Sequence, residues 1–147
     1  MRVEQRQVKD QPRTVIVEYP EYDKSVDNLI NKIKNMSISF TGKSDGKTVS
    51  IDISDIYYIE NVERKIFLYS KKDIYLYDGS MADIDSSILE TDLVRISRTC
   101  FMNVSHLKEI MQIKNSHLEA VLDNGEKLIV SRKYLKDIKK IFRRKLL

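Results

Sequence analysis

The stretch LEAVLDNGEKLIVSRKYLKDIKKIF, residues 118–142, holds the strongest local signals in the chain. Asn124-Gly125 favours the positive φ angles of a type I′ turn, so the flanking runs LEAVL and KLIV are predicted to pair as a hairpin. Ser131 is predicted to cap a helix that follows at once. The inward face of that helix repeats apolar residues at helical spacing: Tyr134, Leu135, Ile138, Ile141 and Phe142.

Upstream of this unit, from residue 37 onward, the chain reads as short strands separated by turns. Val49, Ile51 and Ile53 alternate with polar residues, which is the pattern of a half-buried strand. A short helix over 80–90, capped by Ser80 or Ser86, interrupts the strands. The remaining β-branched and aromatic runs are 56–60, 66–70, 74–77, 93–97, 100–104 and 107–113. The expected fold class is therefore mostly β with flanking helices, an α+β arrangement.

The first 36 residues follow a different pattern. TVIVEY, residues 14–19, predicts a strand closed by Pro20, and apolar residues at helical spacing over 22–36 predict an amphipathic helix. One strand and one helix bury little surface by themselves. We therefore expect residues 1–36 to be an N-terminal strand–helix extension that packs on the main body, residues 37–147, or on a second copy of itself.

The positive charge is concentrated at the C-terminal end. The whole chain carries a net charge of +4, whereas residues 131–147 contain a single acid, Asp137, among eight basic residues. A basic end on a mildly acidic body is typical of a protein that engages a polyanion at one place. A solvated helix face whose lysines serve solubility is the other interpretation, and charge alone does not separate the two. The basic residues are Arg132, Lys133, Lys136, Lys139, Lys140, Arg143, Arg144 and Lys145.

Length and composition exclude several classes of protein. A chain of 147 residues suits one domain, and 41% hydrophobic residues is too many for general disorder. The single cysteine, Cys100, cannot form an internal disulfide, which fits a reducing compartment. The N-terminus lacks the apolar stretch of a secretory signal, and no apolar run approaches the roughly 20 residues of a membrane span. We therefore expect a cytoplasmic protein.

No motif for catalysis, a metal or a cofactor is recognisable. His106 and His117 have no matched ligand set around them, and the four glycines form no phosphate-binding loop. A nucleophile pair of Cys100 and His106 is conceivable, but the apolar run around Cys100 favours a small buried thiol. We therefore expect no enzyme activity, no bound metal or cofactor and no small-molecule substrate.

Three segments, in the correct order, resemble the LytTR DNA-binding domain. The stretch 52–70, DISDIYYIENVERKIFLYS, resembles a strand pair of that family, and 93–110, LVRISRTCFMNVSHLKEI, resembles its most diagnostic motif. The stretch 122–142 resembles its closing hairpin and helix. The resemblance covers about two-thirds of the chain. It implies a fold of small antiparallel sheets, with loops and the start of the last helix entering successive grooves of DNA.

The resemblance implies that five basic residues face the DNA. Arg98 follows the strand of the diagnostic motif, Arg132 and Lys133 open the last helix, and Arg64 and Lys65 occupy a loop that varies in the family. Arginine presents a planar fork that suits guanine edges and phosphates. A helix start also offers free N–H groups to a phosphate.

Other family positions are interpreted as structural or as departures. Glu60 and Asn103 match the family pattern, and we expect them to satisfy turns or backbone donors. Ser97 stands where many members have a histidine, so a histidine-mediated contact is not expected there. The 36 residues that precede the domain are too few for the receiver domain of many members, so we expect that form of control to be absent. The chain resembles instead the short, free-standing LytTR regulators, and that resemblance implies control by another protein, such as a membrane protein encoded nearby.

Together these observations predict a sequence-specific regulator of transcription that binds double-stranded DNA. We expect a homodimer on repeated half-sites, with residues 1–36 making the dimer contact. The alternative is a β-rich interaction module whose basic helix docks an acidic protein or a membrane surface. RNA binding is less favoured, because the aromatic residues of the strands more simply pack in cores than stack on bases.

Overall fold

The computed structural model describes residues 1–11, 14–88, 91–114 and 117–146, with the side chains of 35–37 and 142–146 left out. The roles predicted for the side chains of Phe142, Arg143, Arg144 and Lys145 lie outside the described residues. Within these ranges the chain forms three α-helices and ten strands. They are α1 (Lys24–Ser37), β1 (Ser39–Ser44), β2 (Lys47–Asp52), β3 (Ile56–Val62), β4 (Lys65–Ser70), β5 (Ile74–Tyr77), α2 (Met81–Ser87), β6 (Leu93–Ser97), β7 (Cys100–Asn103), β8 (Leu107–Gln112), β9 (Leu118–Leu122), β10 (Lys127–Val130) and α3 (Leu135–Leu146).

The strands form two antiparallel sheets, which confirms the expected fold class. The larger sheet has the order β2-β1-β5-β4-β3-β7-β6, and the smaller has the order β10-β9-β8. Most neighbours in the sheets are also neighbours in sequence and are joined by tight turns. The pairing of β3 with β7 is the exception that matters for the site, because it fixes the β3–β4 turn relative to the β6–β7 turn.

One apolar core lies on each face of the larger sheet. Alternation along the strands produces this division, since Ile59 and Phe101 face the core that α2 covers, while Tyr58 and Met102 face the smaller sheet. α2 contributes the fully buried Ile84 and begins at Ser80, one of the two predicted caps, whose side chain accepts a hydrogen bond from the Asp83 N–H. Each such buried aliphatic side chain contributes about 1.5–3 kcal/mol of stability.

The N-terminal extension contains the predicted helix but not the predicted strand. Helix α1 places Val26 in a buried position and packs beside the 3₁₀ turn Ile53–Asp55 and β2. Residues 14–19 have no regular secondary structure, so the strand expected there is wrong for the single chain. A strand needs the edge of a neighbour to pair its backbone groups, and these residues pair with none of the described strands.

The predicted hairpin of β9 and β10 is confirmed, but its turn is of another type. Only Gly125 has a positive φ, +90°, whereas a type I′ turn needs positive φ at both central residues. The Gly125 N–H donates to the Leu122 carbonyl over 3.0 Å, and the longer loop then closes with a left-handed glycine. Type I′ geometry occurs instead at Asp45-Gly46 and at Glu63-Arg64.

The last helix begins later than predicted. Ser131 makes no side-chain cap; it precedes a 3₁₀ turn, Arg132–Tyr134, and α3 starts at Leu135. The Tyr134 N–H donates to the Ser131 carbonyl over 3.0 Å, so the amide that a capping hydroxyl would satisfy already has a partner. Among the described residues, no helix is long and apolar enough to cross a membrane.

Candidate nucleic-acid interface

Three connections of the chain meet at one end of the larger sheet. They are the β3–β4 turn, the β6–β7 turn and the segment from β10 into α3. The Asn61 N–H of β3 donates to the Thr99 carbonyl over 2.8 Å, which ties the first turn to the second. The Ser131 N–H donates to the Ile96 carbonyl over 2.9 Å, which ties the second to the third. We call this the basic end, and it carries the five predicted site residues: Arg64, Lys65, Arg98, Arg132 and Lys133.

Arg98 lies exposed at the tip of the β6–β7 turn. The turn is closed by the Ser97 hydroxyl, which accepts a hydrogen bond from the Thr99 N–H over 3.2 Å. Ser97 therefore has a structural role in this turn. The structure describes no hydrogen bond or ion pair for the Arg98 side chain, so its guanidinium is available to a ligand.

Arg95 braces this turn from behind, a role that the sequence analysis missed. Its guanidinium donates to the carbonyls of Ser97 (3.1 Å) and Arg98 (2.6 Å) and forms an ion pair with Asp85 of α2 (2.5 Å). It also lies 5.1 Å from the centre of the Phe101 ring. The position of Arg95 two residues before the turn in the diagnostic motif was the available signal, but its partner on α2 could not be read from the sequence.

The β3–β4 turn presents Arg64 and Lys65, both exposed. Glu63 and Arg64 have φ of +51° and +68°, so a two-residue type I′ turn is built from residues that rarely adopt this conformation. The left-handed region costs a residue with a Cβ roughly 1–2 kcal/mol. The described residues offer neither Arg64 nor Lys65 a side-chain hydrogen bond or an ion pair.

Arg132 and Lys133 lie exposed in the 3₁₀ turn before α3 rather than in the helix itself. The Lys133 ammonium lies 5.6 Å from the centre of the Tyr134 ring. Because Ser131 is bonded to Ile96, this turn lies beside the end of β6, two residues before Arg98. Along α3 the exposed basic residues continue the charge away from the turn: Lys136, Lys139 and Lys140.

The opposite end of β3 and β7 is built from buried, mutually bonded groups. Asn103, fully buried, donates from Nδ2 to the carbonyls of Ile53 (3.0 Å) and Ile56 (2.7 Å) and accepts from the Ser105 N–H (2.9 Å). The structural interpretation of Asn103 is therefore confirmed. His106 completes this end, since its ring stacks on Tyr57 with centroids 3.9 Å apart.

His106 also joins the two sheets. Its Nε2 lies 2.7 Å from the Ser54 carbonyl, and its Nδ1 lies 3.3 Å from an oxygen of the Asp123 carboxylate in the β9–β10 loop. Cys100 lies at the far end of β7 from His106, and burial raises the pKa of its thiol to about 12. The conceivable nucleophile pair is therefore not formed. No cluster of three metal-ligating side chains occurs among the residues the structure describes.

Comparison with known proteins gives one consistent result. The family model described as the LytTr DNA-binding domain matches residues 46–143, more than half of the chain. A solved structure, the LytTr DNA-binding domain of a putative methyl-accepting/DNA response regulator from Bacillus cereus, has a TM-score of 0.65 to this chain at 22% identity. That likeness covers 69% of this chain and 94% of the other, and it supports the fold.

Curated relatives match the same part of the chain. The sensory transduction protein LytT of Bacillus cereus is 27% identical over 95 residues, which is 65% of this chain and 39% of that protein. LytT of Enterococcus faecalis is 29% identical over 85 residues, 58% of this chain and 35% of that protein. The transcriptional regulatory protein YpdB of Escherichia coli K12 is 24% identical over 98 residues, 66% of this chain and 40% of that protein. The chain thus spans about two-fifths of the length of these relatives.

Proposed function

The chain belongs to the LytTr DNA-binding domain family, and from that premise we propose that the protein is a sequence-specific regulator of transcription that binds double-stranded DNA through its basic end. This family is one of DNA-binding domains, not of enzymes. The observation that carries the proposal is the pair of backbone hydrogen bonds, Asn61–Thr99 and Ser131–Ile96, which gather three basic connections at one end of the sheet.

The spacing of the connections suits a DNA groove. In the order β4-β3-β7-β6, the centres of the β3–β4 and β6–β7 turns lie two strand spacings apart, which is about 10 Å. The major groove of B-form DNA is about 12 Å wide. Arg98 and Arg132 read base edges in this proposal, whereas Lys133, Arg64 and Lys65 contact phosphates and set the register. In this proposal the two turns enter one groove of a half-site and the start of the last helical segment enters the next, so the protein contacts successive grooves of repeated half-sites.

The salt dependence of binding tests the electrostatic part of the proposal. If roughly five phosphates are neutralised, a fourfold rise in salt weakens binding by about 10²–10³-fold. Duplexes selected from a random pool provide the specific site, and fluorescence anisotropy against salt gives the slope. A flat response to salt would contradict binding through the basic end.

A matched pair of double variants locates the interface. Arg64 and Lys65 lie at the start of β4, and Lys71 and Lys72 follow its other end. Both pairs are exposed and carry the same charge. Changing the first pair to alanine should lower the salt slope by about 2, and changing the second pair should leave it nearly unchanged. Equal losses would show that net charge rather than the basic end governs binding. Anionic vesicles in parallel test the alternative, a basic helix that docks on a membrane surface.

The rest of the proposed arrangement concerns assembly. We propose residues 37–147 as the DNA-binding unit, residues 1–36 as the dimer contact, and a cytoplasmic homodimer controlled by another protein, such as a membrane protein encoded nearby. Helix α1 packs beside the 3₁₀ turn Ile53–Asp55, at the end of β3 away from the basic end. A dimer contact there leaves both basic ends open to DNA.

A further inference from the structure

An uncovered apolar surface lies on the larger sheet. Phe67 and Tyr69 of β4 stand opposite Leu76 and Ile74 of β5, so these four side chains share one face. Ile74 is 56% exposed and Leu76 is 38% exposed, and Phe67 and Tyr69 are half-buried. We call this the β4–β5 face. Each cross-strand pair joins one exposed and one half-buried apolar side chain, and the two pairs side by side form a continuous patch, which soluble single chains rarely leave open unless it serves an interaction.

The surroundings mark the limits of this patch. On one side, Tyr58 of β3 stacks on Tyr69 with centroids 4.1 Å apart, and from there the smaller sheet covers the face. On the other side, β1 presents the exposed polar residues Thr41 and Lys43, the second of which stands opposite Leu76. The uncovered apolar area is therefore confined to β4 and β5.

A second uncovered apolar surface lies in the same chain, in the segment Thr14–Tyr19. Val15 is 62% exposed, Ile16 is 75% exposed and Tyr19 is 49% exposed. This arm is rich in β-branched and aromatic residues, yet it joins no sheet within the described residues. Such residues favour a strand-like, half-buried surface, which the single chain does not provide for them.

The charges of the two surfaces are complementary. Between Arg13 and Lys24 the chain contains three acids and no basic residue: Glu18 in the arm, and Glu21 and Asp23 after it. Three lysines and two acids surround the β4–β5 face, so its rim keeps a net positive charge: Lys43 on β1, Lys71, Lys72 and Asp73 in the turn after β4, and Glu60 of β3 opposite Phe67. Opposite charges at the rim of an apolar contact direct its register and exclude wrong partners.

We propose that the arm Thr14–Tyr19 of one chain docks on the β4–β5 face of a second copy, and that the two copies exchange arms around a twofold axis. Each chain has one arm and one face, so reciprocal exchange covers all four surfaces and leaves none to recruit a third copy. The inference rests on the homodimer of the proposed function and specifies which surfaces form it. The turn after β4 lies at the end of the sheet away from the basic end, so the exchange leaves the DNA-contacting turns open.

Disulfide trapping between two single-cysteine variants tests the exchange. We would mix full-length Ile16→Cys with full-length Leu76→Cys, one of them carrying a size tag, and oxidise under mild conditions. A disulfide-linked heterodimer should form at least about tenfold faster than in a control mixture of Ile16→Cys with Met111→Cys. Met111 is 44% exposed on β8, close to the exposure of Leu76, but lies on the other sheet. Native Cys100 is buried and should not compete.

The outcomes separate docking within one chain, docking between chains and failure of the proposed function. Equal rates in the two mixtures, or a double variant Ile16→Cys/Leu76→Cys that gives only an intrachain disulfide, would overturn the exchange. Sedimentation and DNA binding of the same samples are read in parallel. A dimer that binds its selected duplex without trapping at 16–76 refutes the docking surface and leaves the proposed function standing. Loss of DNA binding by every sample, the wild-type chain included, refutes the proposed function.

A substitution in the β4–β5 face tests the same contact independently, through the dimer dissociation constant. Leu76→Glu places a carboxylate in the centre of the β4–β5 face, and each dimer contains the change twice. We expect the dimer dissociation constant to rise by at least about tenfold, because burial of an aliphatic side chain is lost in both halves. Ile129→Glu is the control, since Ile129 is 52% exposed on β10 of the smaller sheet. An equal change in both variants would overturn the assignment.

Discussion

The two ends of β3 and β7 use polar residues in opposite ways. At the basic end, Arg98 and Arg64 extend from tight turns, and the hydrogen bonds that hold these turns come from the backbone, from the Ser97 hydroxyl and from Arg95. At the other end, Asn103 and His106 direct their polar atoms at neighbouring groups of the fold. Seven residues of β3 separate the two ends by about 20 Å.

This difference divides one sequence motif into two functions. Within residues 93–106, strand β7 runs from the turn that carries Arg98 to the 3₁₀ turn that ends at His106. At the end of Asn103 and His106, the polar side chains bond to other groups of the fold. At the end of Arg98, the side chain is exposed and available to a ligand. Under the proposed function, the motif combines a stability requirement at one end with a binding requirement at the other, and mutation can separate the two.

The largest expected effect is the loss of stability in Asn103→Ala. The change removes the Asn103 donor from the buried Ile56 carbonyl and from the Ile53 carbonyl, which keeps only the Ile56 N–H, and it removes the acceptor of the Ser105 N–H. The free energy of unfolding should therefore fall by about 3 kcal/mol. Urea denaturation measures it. Asn124→Ala is the control, because the Asn124 side chain accepts one exposed hydrogen bond, from the Glu126 N–H. If Asn103→Ala kept its free energy of unfolding but lost affinity for DNA, the assignment of stability to this end and of binding to the basic end would be wrong.

Arg98→Ala should show the converse behaviour. If Arg98 reads a base, affinity for the selected duplex should fall by about 1–3 kcal/mol, roughly 5–150-fold, with little change on random DNA. The stability of the fold should stay within about 0.5 kcal/mol, because Arg98 is exposed. Lys108→Ala, on the exposed side of β8, controls for the lost charge. Equal losses on both duplexes would reassign Arg98 to a phosphate.

Much of the fold could be predicted because strands and helices leave periodic patterns in the sequence. The strands of the β3–β4 and β9–β10 hairpins, the Ser80 cap and helix α1 were all predicted from such patterns. Turn geometry was harder. Asn124-Gly125 has the preferred residues of a type I′ turn and lacks the geometry, whereas Glu63-Arg64 has the geometry without those residues. Pairing of the flanking strands fixed the loop length, and it outweighed local preference.

The sequence proposes the candidate site as a set of residues, and the structure supplies their arrangement. The five basic residues were identified through the resemblance, yet the hydrogen bonds that gather them join residues 38 and 35 positions apart. The ion pair of Arg95 with Asp85 joins β6 to α2, and no pattern in the sequence predicts that these two residues pair. The prediction of a strand at 14–19 was wrong for a related reason. A strand must pair with a neighbouring strand, and the arm has none among the described residues of a single chain.

Asp85→Asn sharpens the comparison because it removes the ion pair with Arg95 and leaves unchanged the residues proposed to contact DNA. The ion pair with Arg95 is partly exposed, with Asp85 46% and Arg95 27% exposed, so its loss should cost at most about 1 kcal/mol of stability. A looser turn around Arg98 should weaken binding to the selected duplex by about 2–5-fold, in the range of 0.4–1 kcal/mol. Glu109→Gln removes an exposed acid on β8 and controls for charge. An equal change of DNA affinity in both variants would show that the Arg95–Asp85 ion pair does not contribute to binding.

The smallest expected effect tests whether the strained backbone of Arg64 is accompanied by a DNA contact of its side chain. Arg64 holds φ at +68°, where glycine is favoured, so Arg64→Gly should raise the free energy of unfolding by about 0.5–1 kcal/mol. The same variant should lower the salt slope of DNA binding by about 1, because one phosphate contact is lost. Lys72→Ala, at the other end of β4, should change neither quantity appreciably. A more stable variant with an unchanged slope would mean that Arg64 does not touch DNA. The DNA contacts of the basic end would then come from Lys65, Arg98 and the turn before α3.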